Sequence, residues 1–127
     1  MELILPITYT FTALCAIAMM VLVGWVGVKR GSVNVLRGDG GDPVLFKRIR
    51  VHGNFIETAP LAVLCMGAAE SLGAGALWLW LALASYALGR ILHVFMYDLK
   101  IRALPLTLTT GPFLLLGLFV LNRLWLA

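Results

Sequence analysis

Polar and apolar positions fall along this chain in long blocks rather than short alternations. Positions 3–28 carry no charged residue, and about 20 such residues suffice for an α-helix to cross the hydrocarbon core of a bilayer. The next stretch, 29–50, holds Lys29, Arg30, Arg37, Lys47, Arg48 and Arg50 around the turn-rich Gly38, Asp39, Gly40, Gly41, Asp42 and Pro43. It reads as a water-exposed loop. Apolar sequence resumes over 51–69, interrupted by Asn54, Glu57 and Pro60, and a small-residue turn at 71–75 leads into a third block, 76–97. A polar connection with Asp98, Lys100 and Arg102 precedes the fourth block, 104–122. Pro105 suits the first turn of that last helix, where its missing N–H is no loss, and Pro112 inside it predicts a kink. The pattern therefore predicts one domain over 1–127, an all-α integral membrane four-helix bundle with helices at 3–28, 51–69, 76–97 and 104–122.

Composition sharpens this reading. Of 127 residues, 61% are hydrophobic and 13% charged, against about 25% charged in a soluble chain; mean hydropathy is +0.98. A water-soluble enzyme is excluded. Cys15 and Cys65 lie inside apolar blocks, too few and too buried in pattern for a disulfide framework, a zinc site or a redox pair, so no metal is expected and both read as packing residues. The first block is too long for a signal-peptide core and follows Glu2 rather than a basic cluster, so it reads as a retained span. The net charge of +4 matters through its placement rather than as a nucleic-acid signal. Loop 29–50 has six Lys and Arg, 70–75 has none and 98–103 has two. The positive-inside rule then puts the first and third loops in the cytoplasm and both termini on the non-cytoplasmic side. Trp25, Trp78, Trp80 and Trp125, near block ends, need only an interfacial belt as explanation, and Glu70 reads as a solubilising charge of the outer loop.

Ionisable residues inside membrane blocks cost free energy unless they face protein or water, which singles out Glu57, Arg90 and His93. At about 100° per residue, Arg50, Asn54 and Glu57 share one stripe of the second helix, and Arg90, His93 and Tyr97 one stripe of the third. Both stripes lie at the same depth and can converge on a cavity suited to a small ligand with carboxylates and amides. A plainer reading makes Arg50 a snorkelling interface residue, Glu57 and Arg90 a structural ion pair, His93 a hydrogen-bonded structural histidine and Tyr97 part of the aromatic belt. The glycine-rich loop lacks the Gly-Lys-Ser/Thr of a phosphate cradle. No serine or cysteine sits beside a histidine as a nucleophile would, so a nucleophile would arrive with a substrate.

The run Arg50-Val51-His52-Gly53-Asn54-Phe55-Ile56-Glu57-Thr58-Ala59-Pro60 resembles the R-x-x-x-N-x-x-E-x-x-P signature of the MAPEG family, the membrane-associated proteins in eicosanoid and glutathione metabolism, and is closest to its bacterial branch. The Arg90, His93 and Tyr97 spacing resembles the family's third-helix pattern, and 100–105 its basic third loop. The resemblance implies a homotrimer in the bacterial inner membrane that binds glutathione as co-substrate between subunits, towards the cytoplasm. By the same resemblance Arg50, Asn54, Glu57, Arg90, His93 and Tyr97 bind glutathione, while Arg30 or Arg102 stabilises its thiolate; a free thiol has a pKa of about 8.5, which a neighbouring guanidinium lowers. A lipophilic electrophile would enter from the bilayer, making the protein a glutathione transferase or peroxidase. Two positions depart from the family pattern. Thr58 stands where an aromatic often follows the glutamate, and Leu106 where some members carry an arginine, which argues against prostaglandin isomerisation; Thr107 could supply a hydroxyl there. The alternatives are a non-catalytic protein that keeps the scaffold and binds glutathione or lipid, and a small four-helix exporter, which the uncharged first helix disfavours.

Overall fold

Prolines and caps set where the helices begin. Pro6 and Pro43 occupy first-turn positions, where a missing N–H costs nothing, and Asp42 caps its helix by accepting the Leu45 amide at 2.7 Å. The structure, a computed structural model, describes residues 4–126. It contains α1 (Pro6–Val33), α2 (Pro43–Ser71), α3 (Ala76–Phe95) and α4 (Ala103–Trp125), with no strand among the described residues. Position 3, where the sequence pattern starts the first block, lies outside them.

The loop expected at 29–50 is mostly helix. α1 continues through Lys29 and Arg30 to Val33, ending at Asn34 in the left-handed region (φ 54°), and α2 begins at Pro43. Lys47, Arg48 and Arg50 therefore sit on a helix. The reason is length: at about 1.5 Å per residue a helix the size of α1 spans about 42 Å, well beyond about 30 Å of hydrocarbon. Charges mark the membrane boundary, whereas caps mark the helix end. The loop at 34–42 turns on Gly38, Gly40 and Gly41, all at positive φ, and the Lys29–Asp42 ion pair (3.3 Å) ties it to α1.

Neighbouring helices run antiparallel, as contacts at both ends of α1 and α2 show. At one end the Arg48 guanidinium donates to the Trp25 carbonyl (2.7 Å) and stacks 4.9 Å from the Trp25 ring centre. At the other, Glu70 accepts from the Ile7 amide (3.0 Å), the Thr8 amide (2.8 Å) and the Thr8 hydroxyl (2.6 Å). Glu70 is thus no free loop charge; it ends α2 and caps α1, which lacks a cap of its own. A carboxylate there answers both the orphan N–H groups and the positive end of the helix dipole.

One aromatic residue from each helix meets in the core. Phe11, Tyr86 and Phe113 pack with ring centres 5.2–5.9 Å apart, and Phe55 lies 6.5 Å from Tyr86. The Tyr86 hydroxyl is satisfied by Thr58 at 3.0 Å. Cys15 and Cys65 are half-buried against this core. α1, α3 and α4 are long and apolar enough to cross a membrane; α2, expected as a fourth span, does not qualify by composition. α4 runs unbroken through Pro112. That proline cannot donate to the Leu108 carbonyl one turn back, and the Ser85 hydroxyl of α3 does so instead, at 2.7 Å.

Candidate functional site

The two polar stripes meet at the basic end of the bundle, and Arg90 is where they join. Its Nη1 donates to Asn54 Oδ1 on α2. Its Nε and Nη2 donate to Thr109 Oγ1 on α4, at 3.1 and 2.7 Å. Thr109 is buried and passes its own proton to the Pro105 carbonyl at 2.8 Å. The guanidinium also lies 5.9 Å from the Tyr86 ring centre. α3 and α4 approach closely here because Gly89 has no side chain: a Cβ on it would stand 2.5 Å from Thr109 Oγ1 and 2.9 Å from the Pro105 carbonyl oxygen.

No carboxylate among the described residues lies within ion-pair distance of Arg90. Glu57, its suspected partner, instead pairs with Arg50 at 3.9 Å, both side chains about half-exposed on α2. Arg90 is therefore a half-buried cation held by neutral oxygens. Burying a charge without a counter-ion is unfavourable, so the arrangement suits an anion supplied from outside the chain.

His93 stands one turn further along α3, whereas Tyr97, expected on the same helix, lies in the turn just past the helix end at Phe95; their rings meet edge to face at 5.7 Å. His93 Nε2 is enclosed and has no hydrogen-bond partner among the described residues. Tyr97 lies between two cations, with Lys47 Nζ 5.6 Å and the Arg102 guanidinium 5.8 Å from its ring centre; Lys47 also pairs with Asp98 at 2.6 Å. Arg102 is exposed at the start of α4. Arg30 is engaged elsewhere, donating to the carbonyls of Gly38 (2.7 Å) and Val35 (3.4 Å), where it holds the 34–42 loop.

Five of the residues the sequence singles out are thereby joined through direct contacts into two sets, Arg90 with Asn54 and His93 with Tyr97 and Arg102, beside the Arg50–Glu57 pair. Arg30 is the outlier. A cavity of about 260 Å³ between α1, α2 and α3 is lined by Arg90 and His93 among apolar side chains, and a groove of about 300 Å³ between α2 and α4 by Glu57, Thr58 and Thr109. Sequence reasoning missed Thr109 and placed the available hydroxyl at Thr107, which is exposed. The signal was there to find: Thr109 stands one turn after Pro105, at the depth of Arg90.

Guanidinium groups, an amide and a phenol at the edge of an apolar bundle can hold carboxylates and stabilise a developing anion, while the apolar walls admit a hydrophobic partner. No curated protein and no solved structure matches the chain. The family profile described as MAPEG family matches residues 8–122, a span that includes both polar stripes and all four helices apart from the ends of α1 and α4, so this chain belongs to the MAPEG family.

Proposed function

We propose that this protein is a membrane-bound, glutathione-dependent transferase or peroxidase that acts on a lipophilic electrophile. The observation that carries the reading is Arg90, a half-buried guanidinium whose protein partners are the neutral Asn54 and Thr109. Glutathione brings two carboxylates and a thiol, and the family to which the chain belongs includes glutathione-dependent enzymes. In this reading Arg50, Asn54, Glu57, Arg90, His93 and Tyr97 bind the tripeptide. Binding occurs between subunits of a homotrimer, at the cytoplasmic side.

Arg102 is the arginine we assign to the thiol. It is exposed at the mouth of the site, 5.8 Å from the Tyr97 ring centre, and among the described residues its guanidinium makes no hydrogen bond or ion pair, whereas Nη1 of Arg30 is taken by two loop carbonyls. A permanently charged guanidinium favours thiolate over thiol, and the thiolate is the nucleophile. The protein's remaining contribution is to bring that thiolate beside an electrophile dissolved in the bilayer.

Titration calorimetry of the detergent-purified protein with glutathione, paired with ultraviolet thiolate absorbance, tests this. The expected result is binding with a thiolate signal that Arg102→Ala abolishes and Arg30→Ala retains. A folded trimer that does not bind glutathione would overturn the proposal in favour of a scaffold without this chemistry.

A further inference from the structure

We infer that Thr109 is the positioning residue of the site, because it fixes the Arg90 guanidinium and, through it, which end of the Asn54 amide faces the ligand. The inference rests on the glutathione reading above and adds to it the reason the site selects acceptor groups.

A hydroxyl has one proton and two lone pairs. The Thr109 proton goes to the Pro105 carbonyl (2.8 Å), so what the hydroxyl offers Arg90 is lone pairs, and Nε and Nη2 take them at 3.1 and 2.7 Å. The rotor is held on both sides and the side chain is 1% exposed. Two contacts on adjacent guanidinium nitrogens fix the plane of the group and aim Nη1 at α2.

Guanidinium carries five N–H donors and no acceptor, so the Asn54 atom facing it must be Oδ1, as the hydrogen bond shows. Covalent geometry then puts Asn54 Nδ2 and its two protons on the far side of the amide from Arg90. No protein acceptor takes them among the described residues. The Arg50 side chain runs along α2 towards Gly53, the residue before Asn54, with Nη1 3.7 Å from the Cβ position of Gly53. The ligand therefore meets amide and guanidinium donors together, which suits a carboxylate or a peptide carbonyl and rejects an ammonium.

Without the Thr109 hydroxyl, Arg90 loses two of its three bonds and the amide can turn over. Valine keeps the shape of threonine and removes the hydroxyl; serine keeps the hydroxyl. Asn54→Asp keeps an oxygen for Arg90 but replaces the donor end with a second acceptor.

Glutathione binding by the full-length Thr109→Val, Thr109→Ser and Asn54→Asp proteins in detergent, with melting curves for each, separates these roles. Thr109→Val is expected to weaken binding at least about tenfold, since both charge-assisted contacts from Arg90 to the hydroxyl are lost. Thr109→Ser is expected to stay within about threefold of wild type, the hydroxyl being kept. Asn54→Asp should melt no lower than wild type yet lose binding. A second readout needs no ligand: in protein labelled with ¹⁵N-asparagine, the Asn54 side-chain amide should give one sharp pair of signals in wild type and Thr109→Ser, and broadened or doubled signals in Thr109→Val. Sharp, unshifted Asn54 signals in Thr109→Val, or wild-type affinity in that variant, would overturn the inference while leaving the glutathione reading intact. Failure of the wild type to bind glutathione would instead defeat that reading, with the amide signals still deciding whether Thr109 orients Asn54.

Discussion

At Gly89 a single hydrogen atom decides how the site is built. An alanine methyl there would stand 2.5 Å from the Thr109 hydroxyl and 2.9 Å from both the Pro105 carbonyl oxygen and the Thr109 nitrogen, and two of those three atoms are backbone that cannot rotate away. α3 and α4 would have to separate, at an overpacking cost of about 1–3 kcal/mol. Gly89→Ala is therefore expected to lower the melting temperature in detergent by several degrees and to weaken glutathione binding, since the same separation pulls Thr109 from Arg90; an unchanged melt would show that the helices have slack. The charged members of the site were legible in the sequence because an ionisable side chain in an apolar block demands an explanation. Thr109 was not, for a physical reason. Thr10, Thr12, Thr58 and Thr110 all donate to the carbonyl four residues back, as Thr109 does, so a membrane helix satisfies threonine internally and the sequence gives no sign of which hydroxyl also accepts from a neighbour.

Helix ends carry their own chemistry, and α2 is the clearest case. The Asp42 carboxylate is held below its ordinary value of 3.8, first by the Leu45 amide, against a smaller opposing effect of desolvation, and then by Lys29. A depressed carboxylate stabilises the fold above its ordinary value, and that contribution disappears as pH falls through the depressed one. Amide exchange at Leu45 is thus expected to be slow near neutrality and to gain an extra opening only below the ordinary carboxylate range, as pH falls through the depressed Asp42 value. Asp42→Asn, which keeps the acceptor but not the charge, should remove that acid step; the same step in both proteins would refute the assignment. Such caps explain what was legible at this scale. The Asp42-Pro43 pair announces a helix start, yet the six cations around it read as loop because bilayer and helix boundaries differ. Glu70 shows the opposite limit: its role depends on α1 returning to it across 62 residues of sequence, and only the folded bundle reveals that.

The assembled molecule separates its charges. Nine of the ten Lys and Arg residues lie at the end where the 34–42 loop and the α3–α4 connection meet, and Arg123 alone lies at the other. At the basic end α2, the least apolar helix, turns an exposed face outward that carries Arg50, Ile56, Glu57 and, one turn deeper, Leu61, which is 65% exposed. Charged side chains facing hydrocarbon cost several kcal/mol, so a face of this kind meets water or protein. A subunit that buries it against identical neighbours in a closed ring removes the cost three times over, and places Glu57 of each copy in an interface rather than in lipid. Native mass spectrometry is expected to release the wild type as a trimer. Leu61→Arg adds a charge on this face, so it should yield monomers with unchanged helical circular dichroism and, with the proposed site shared between subunits, reduced glutathione binding. A monomeric wild type would leave the Arg50–Glu57 pair to water alone and would remove the neighbour on which the proposed intersubunit site depends; a Leu61→Arg protein that stays trimeric would place the contact on another face of the bundle.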